Sequence, residues 1–172
     1  WFGNDDANMV ALTPIYSCLE SVPDCYSAKH ANATTFSFRN AYWVCNWVSN
    51  MVYYRYDLLF PELKTVRDRL EKDFNSVQDY MEAKAKEMGE AEGKKFLSDY
   101  SLRMSGMMLD EWMQLAQKLI VKYNDMCVKK VDGNGDYILT PGGEPVAPQR
   151  PGYPEHYLRK MVEESGDKYL IK

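Results

Sequence analysis

The chain has 172 residues, 45% apolar and 27% charged, with a net charge of −4. That is the composition of an ordinary globular domain, or of part of a larger one. Acidic and basic side chains are interspersed, with no basic face for a phosphate backbone and no apolar run long enough to span a bilayer. Nucleic acid and membrane are therefore not expected partners. The four Trp, thirteen Tyr and ten Met exceed the needs of a small core and point to a broad buried surface.

Residues 1–39 read as strand and loop. Met9 to Tyr16 is apolar and suits a short buried strand up to or through Pro14. Pro23-Asp24 and the polar run Lys29 to Thr35 are loop signals, and Thr34 to Phe38 alternates like a short extended piece. The opening Trp1-Phe2-Gly3, without an initiating Met, reads as the inside of a longer protein.

Residues 40–128 read as a helical bundle. Asn40 is a natural N-cap for Ala41 to Tyr56, a stretch without Gly or Pro and apolar on nearly every face, hence buried on most sides. Pro61 fits the first turn of a second helix. Its inward stripe is Leu63, Val66, Leu70, Phe74, Val77 and Met81, opposite Lys64, Arg67, Asp68, Glu71 and Lys72, and Gly89 stops it after Met88. Glu90 to Met104 and Met107 to Cys127 follow, as two helices or as one bent near Ser105-Gly106. Met108, Trp112, Leu115, Leu119 and Tyr123 share one side.

Residues 129–154 hold a hairpin, turned at Asn134-Gly135, and a loop rich in proline and glycine that wraps the surface. Residues 155–166 form a terminal helix with Tyr157, Leu158, Met161 and Val162 inward and Gly166 at its end. There is no internal repeat. The fold class is mainly α with a minor β part.

No self-contained catalytic centre emerges. Cys18, Cys25, Cys45 and Cys127 show no zinc spacing. They read as packed thiols, with a Cys18–Cys25 disulfide open if the protein is exported. His30 and His156 have no cysteine at supporting spacing. Asp132-Gly133-Asn134-Gly135-Asp136 resembles a calcium loop, but position twelve is Gly143 rather than Glu, so a tight turn is preferred. Asn4-Asp5-Asp6 reads as a solvated loop, its neighbouring carboxylates facing apart in a strand. Asn32-Ala33-Thr34 matches a glycosylation sequon. Arg39 and Asn40 at one end of the aromatic helix, and Arg55 and Asp57 at the other, satisfy helix-end groups or, alternatively, line a pocket. No metal and no cofactor are expected.

Several blocks together resemble the dipeptidases of peptidase family C69. They are Trp1 to Ala7, Thr13-Pro14-Ile15-Tyr16, Thr35 to Asn50, Tyr53 to Asp57, and Pro154 to Val162. The resemblance implies an Ntn hydrolase with an αββα sandwich. It also implies an N-terminal cysteine nucleophile, unmasked by removal of a leader, whose own α-amino group is the base. Dipeptides are then the substrates and no metal is needed. On this reading the chain is the C-terminal helical segment of an α+β enzyme, its partner is the N-terminal half of the same protein, and the nucleophile lies upstream of residue 1. No catalytic residue is assigned within the chain, and Asn46 and Arg55 are not taken as pocket residues. Arg39 stands where some relatives carry an acidic or polar residue. Self-association is compatible with this reading. The alternative is a non-enzymatic helical interaction module.

Overall fold

The computed structural model describes residues 1–169. Its backbone is mainly helical, with four α-helices: α1 (Ala41–Tyr54), α2 (Tyr56–Glu87), α3 (Glu90–Tyr123) and α4 (Glu155–Ser165). Among the described residues β pairing is limited to isolated bridges, so the minor β part is smaller than the sequence suggests. The chain divides into two compact units, Trp1–Leu119 and Ile120–Lys172.

In the first unit the apolar segment Met9 to Tyr16 is not a strand. One bridge pairs Thr13 with Phe2, and Pro14 has no N–H to extend a ladder. The free backbone donors turn to helix side chains instead: Leu12 N–H donates to Glu71 at 3.0 Å and Tyr16 N–H to Ser101 Oγ at 3.2 Å. Thr34 to Phe38 forms no strand either, its pairing being the single bridge of Thr35 to Asn32. Asn32 Oδ1 accepts from Thr34 N–H at 2.9 Å and bends the chain into a turn.

Asn40 caps α1 as expected, its side chain accepting from Trp43 N–H at 3.3 Å. The helix breaks at Arg55 (φ −145°, ψ 69°), and α2 begins at Tyr56 rather than at Pro61. Pro61 therefore sits in the second turn, where its missing N–H leaves one bond of the helix unmade. The reason for the earlier start is local. The buried Arg55 guanidinium reaches forward to the Asp57 carboxylate with two 3.1 Å bonds, in the first turn of α2, where negative charge is favoured.

α2 buries Leu59, Leu63, Leu70, Phe74 and Ala85, while Val77 is 39% exposed. The inward face runs through the half-buried Gln78 instead, because 74 to 78 continues the four-residue step. Gly89 (φ +81°) ends the helix and α3 returns beside it. At Gly93 the two helices nearly touch: a Cβ there would lie 2.2 Å from the Ala85 carbonyl oxygen. α3 is one uninterrupted helix through Ser105-Gly106. Its buried stripe is Ser98, Ser101, Ser105, Met108, Trp112, Leu115 and Leu119, stepping alternately by three and four. The serine part holds the extended N-terminal segment, and the bulky part fills the core. Trp112 is fully buried, its indole N–H donating to the Met9 carbonyl at 3.2 Å.

In the second unit the helix stops at Tyr123, short of Cys127, in a turn where Asp125 and Met126 both have positive φ. Lys129 Nζ caps the exposed carbonyl of Val121 at 2.5 Å. The hairpin around Asn134-Gly135 is present, with Val131 bridged to Tyr137. The following loop does more than wrap: Thr140 to Glu144 forms a second tight turn, Val146 N–H bonds to Ile138, and Gln149 pairs with Val128. In α4 the apolar stripe has the expected spacing but faces outward. Tyr157, Leu158, Met161 and Val162 are all exposed, Val162 by 64%.

Candidate functional site

The start of the chain carries one of three non-glycine residues with positive φ among the described residues. Asp5 adopts φ +70°, a conformation that L-residues with a Cβ rarely hold without compensation. The compensation comes from α1. The Asp5 carboxylate accepts from Ser49 Oγ at 2.7 Å and from Asn46 Nδ2 at 3.0 Å. Asp6 turns to the same helix and accepts from the Tyr53 hydroxyl and from Asn8 N–H. The Tyr53 bond, then the Asn8 amide, hold the Asp6 carboxyl below its usual range, and the same contact raises the Tyr53 phenol. Asp5, exposed, and Asp6, half-buried, do lie in a loop, but their side chains do not diverge; both converge on α1. Asn8 extends the strap, donating to Tyr56 at 3.2 Å and accepting from Arg67 through its carbonyl at 2.7 Å.

Asn46 joins this cluster to an aromatic trough of about 290 Å³ lined by Phe36, Phe38, Trp43, Asn46, Trp47 and Asn50. Its rings touch edge to face or tilted, Phe36 against Phe38 at 4.8 Å and Phe38 against Trp47 at 5.7 Å. Trp43 is fixed by its indole N–H on the Asn32 carbonyl at 3.0 Å. The trough sits at the lower edge of the about 300–1,000 Å³ typical of ligand sites. The sequence reading missed Ser49 and Tyr53. Their signal is the spacing Asn46, Ser49, Tyr53, a polar line at three and four residues along an otherwise aromatic and aliphatic helix.

Neither trough nor strap holds a reactive nucleophile. Cys45 lies wholly buried on the inner face of α1, and burial pushes its thiol up. Burial raises the Cys25 thiol to about 11, and its Sγ faces the Ser105 carbonyl at 3.5 Å. Cys18 Sγ faces the Lys94 carbonyl, also at 3.5 Å. Lys94 and Ser105 lie eleven residues apart on α3, about 16 Å along its axis, so Cys18 and Cys25 do not form a disulfide in this geometry. A nucleophilic thiol needs a lowered pKa, the reverse of what Cys25 and Cys45 experience.

Of the remaining candidates, His156 is exposed in the first turn of α4, and those that follow have structural partners. His30 lies 2.8 Å from Asp24, which also takes Arg39 at 3.0 Å, and the His30 contact is the first cause of a lowered Asp24 carboxyl. Arg55 and Asp57 bond to one another at the helix junction, and Asp57 is held below the usual carboxylate range by that bond. Asp132 Oδ1 accepts from Asn134 N–H at 2.8 Å and Asp136 N–H at 3.0 Å, closing the tight turn that resembled a calcium loop. No cluster able to hold a metal ion occurs among the described residues. No helix among them is long and apolar enough to cross a membrane. A larger groove of about 490 Å³ lies at the α2–α3 turn, lined by Tyr16, Glu82 and Gly93 among others. Burial, then Glu82, pushes the Tyr16 phenol up to about 12, which makes it a poor acid or nucleophile.

Comparison with known proteins separates these features. Residues 1–69 match the model of Peptidase family C69. The C69-like stretch therefore contains the strained Asp5 turn, the aromatic trough, all of α1, the Arg55–Asp57 junction and the start of α2. The closing block Pro154 to Val162 lies outside it. No curated protein and no solved structure matches the chain.

Proposed function

We propose that this chain is the C-terminal helical segment of a cysteine-dependent dipeptidase of the αββα Ntn type, and that the nucleophile belongs to a preceding part of the same protein. The match of residues 1–69 to Peptidase family C69 carries the reading. The thiols support it: Cys25 and Cys45 are buried and protonated at neutral pH, and Cys18 faces a helix carbonyl. In the complete enzyme the N-terminal cysteine thiolate attacks the peptide carbonyl of a dipeptide, its own α-amino group passes the proton to the departing amine as the C–N bond breaks, and water then hydrolyses the thioester. Preorganised donors stabilise the resulting oxyanion. The present chain supplies a rigid wall, α1 with the strapped turn at Asp5 and Asp6. The exposed rings of Trp1, Phe2, Phe36, Phe38 and Tyr42 are the surface on which the N-terminal half packs.

The test is a dipeptide hydrolysis assay on the full-length protein and on residues 1–172 alone. The full-length protein hydrolyses dipeptides and loses activity to a thiol alkylator; the isolated chain hydrolyses none. Turnover by the isolated chain would overturn the assignment. An inactive full-length protein that purifies with a stable partner would favour an interaction module instead.

A further inference from the structure

Pro145, Pro148, Pro151 and Pro154 recur every third residue, and Arg150 lies between the second and third. Polyproline II has about three residues per turn, so prolines at this interval line one edge of such a helix.

The backbone of residues 145–151 is restrained at every position. Three of the seven are prolines, whose rings fix φ near −65°. Ala147 and Arg150 each precede a proline, which excludes the helical region and leaves extended or polyproline geometry. The remaining two, Val146 and Gln149, are pinned by hydrogen bonds. Val146 N–H donates to Ile138 at 3.0 Å, and Gln149 exchanges bonds with Val128 at 2.9 and 2.8 Å. Glycines with positive φ, Gly143 at +85° and Gly152 at +61°, bound the run on both sides. Pro154, beyond the run, has polyproline angles, φ −59° and ψ 143°.

What this backbone presents is exposed. Val146 is half-buried, whereas Pro145, Ala147, Pro148, Gln149, Arg150 and Pro151 are open to solvent. The Arg150 guanidinium has no ion-pair partner among the described residues, and the carbonyls of Ala147, Pro148 and Arg150 enter no backbone hydrogen bond there. A rigid proline edge, unpaired carbonyls and one free cation are the features that an aromatic-lined groove reads. Because the segment is already ordered, binding costs little conformational entropy.

We propose that Pro145–Pro151 is a polyproline docking segment for a partner domain of SH3 type, with aromatic slots for Pro145 and Pro148 and an acidic pocket for Arg150. This lies outside the C69-like stretch and is independent of the dipeptidase reading.

The experiment titrates the whole chain, isotopically labelled, with a purified SH3 domain that selects proline peptides carrying a C-terminal arginine. Saturable shifts confined to residues 144–152 are expected. Pro148→Ala and Arg150→Ala should each weaken binding by about tenfold or more, the size typical of an anchor residue, while Pro141→Ala, off the three-residue register, leaves it unchanged. Far-UV circular dichroism checks that each variant retains its helices. Absence of saturable shifts, or equal affinity of the parent, Pro148→Ala and Arg150→Ala chains with unchanged dichroism, would overturn the proposal.

Discussion

The two units of this protein order their chain by different means. In Trp1–Leu119 the non-helical segment is held by side chains: Asp5 on Ser49 and Asn46, Leu12 on Glu71, Tyr16 on Ser101, and Met9 over Trp112. In Ile120–Lys172 order comes from tight turns, proline rings and backbone pairs, and the apolar stripe of α4 is left uncovered. Burial of apolar area stabilises the first unit; local restraint of the unfolded chain does more of the work in the second.

The sharpest test of that contrast is truncation of one apolar side chain in each unit. Trp112→Ala should lower the stability of the fold, measured by unfolding in urea, by about 3–5 kcal/mol, as expected for a buried aromatic. Leu158→Ala, on a residue 49% exposed in α4, should change it by less than about 0.5 kcal/mol. Equal effects would dissolve the distinction.

A pair of glycines tests how closely α2 and α3 approach. An added methyl at Gly93 meets backbone at 2.2 Å, whereas Gly106 has nothing within 4 Å. Gly93→Ala should cost about 1–3 kcal/mol by overpacking, and Gly106→Ala should gain up to about 1 kcal/mol from helix propensity. Thermal unfolding of the two variants reads opposite signs.

The strap at the start of the chain gives a smaller effect. Asp5→Ala removes two acceptors and keeps the unfavourable φ, at a cost of about 1–2 kcal/mol. Amide exchange should show the loss concentrated in residues 3–8.

The smallest effect is on acid sensitivity. Arg55 lowers the Asp57 carboxyl in the folded state. Its contribution is complete above the unfolded value, about pH 4, and is lost as pH falls through the lower folded value. Asp57→Asn should flatten that part of the stability curve and leave the region above pH 6 parallel to the parent. An unchanged acid limb would show that the junction pair contributes nothing measurable.

Local signals were readable from sequence, and contacts between distant segments were not. Asn40 as a cap, Gly89 as a stop and the three-four spacing of Met108 to Leu119 depend on neighbours a few residues away, and all appear in the structure. The break at Arg55 has no Gly or Pro to mark it, because a buried guanidinium bonded to Asp57 sets it. Val77 was misplaced by one residue of helical phase. The outward stripe of α4 shows that periodicity identifies a face without identifying what covers it. At the candidate site, Asp5 and Asp6 meet Asn46, Ser49 and Tyr53 across more than forty residues, and no spacing within either segment encodes that meeting.

The serine-to-tryptophan stripe of α3 has a consequence for synthesis. Met9, Tyr16 and Glu20 take their partners from Trp112, Ser101 and Ser98, separated by 103, 85 and 78 residues. Asp5, Asp6 and Leu12 find their partners on α1 and α2 as these emerge, whereas the bonds of Met9, Tyr16 and Glu20 wait until α3 has left the ribosome. A clone cut at the end of the C69-like stretch would carry its most characteristic residues without the surface that orders them.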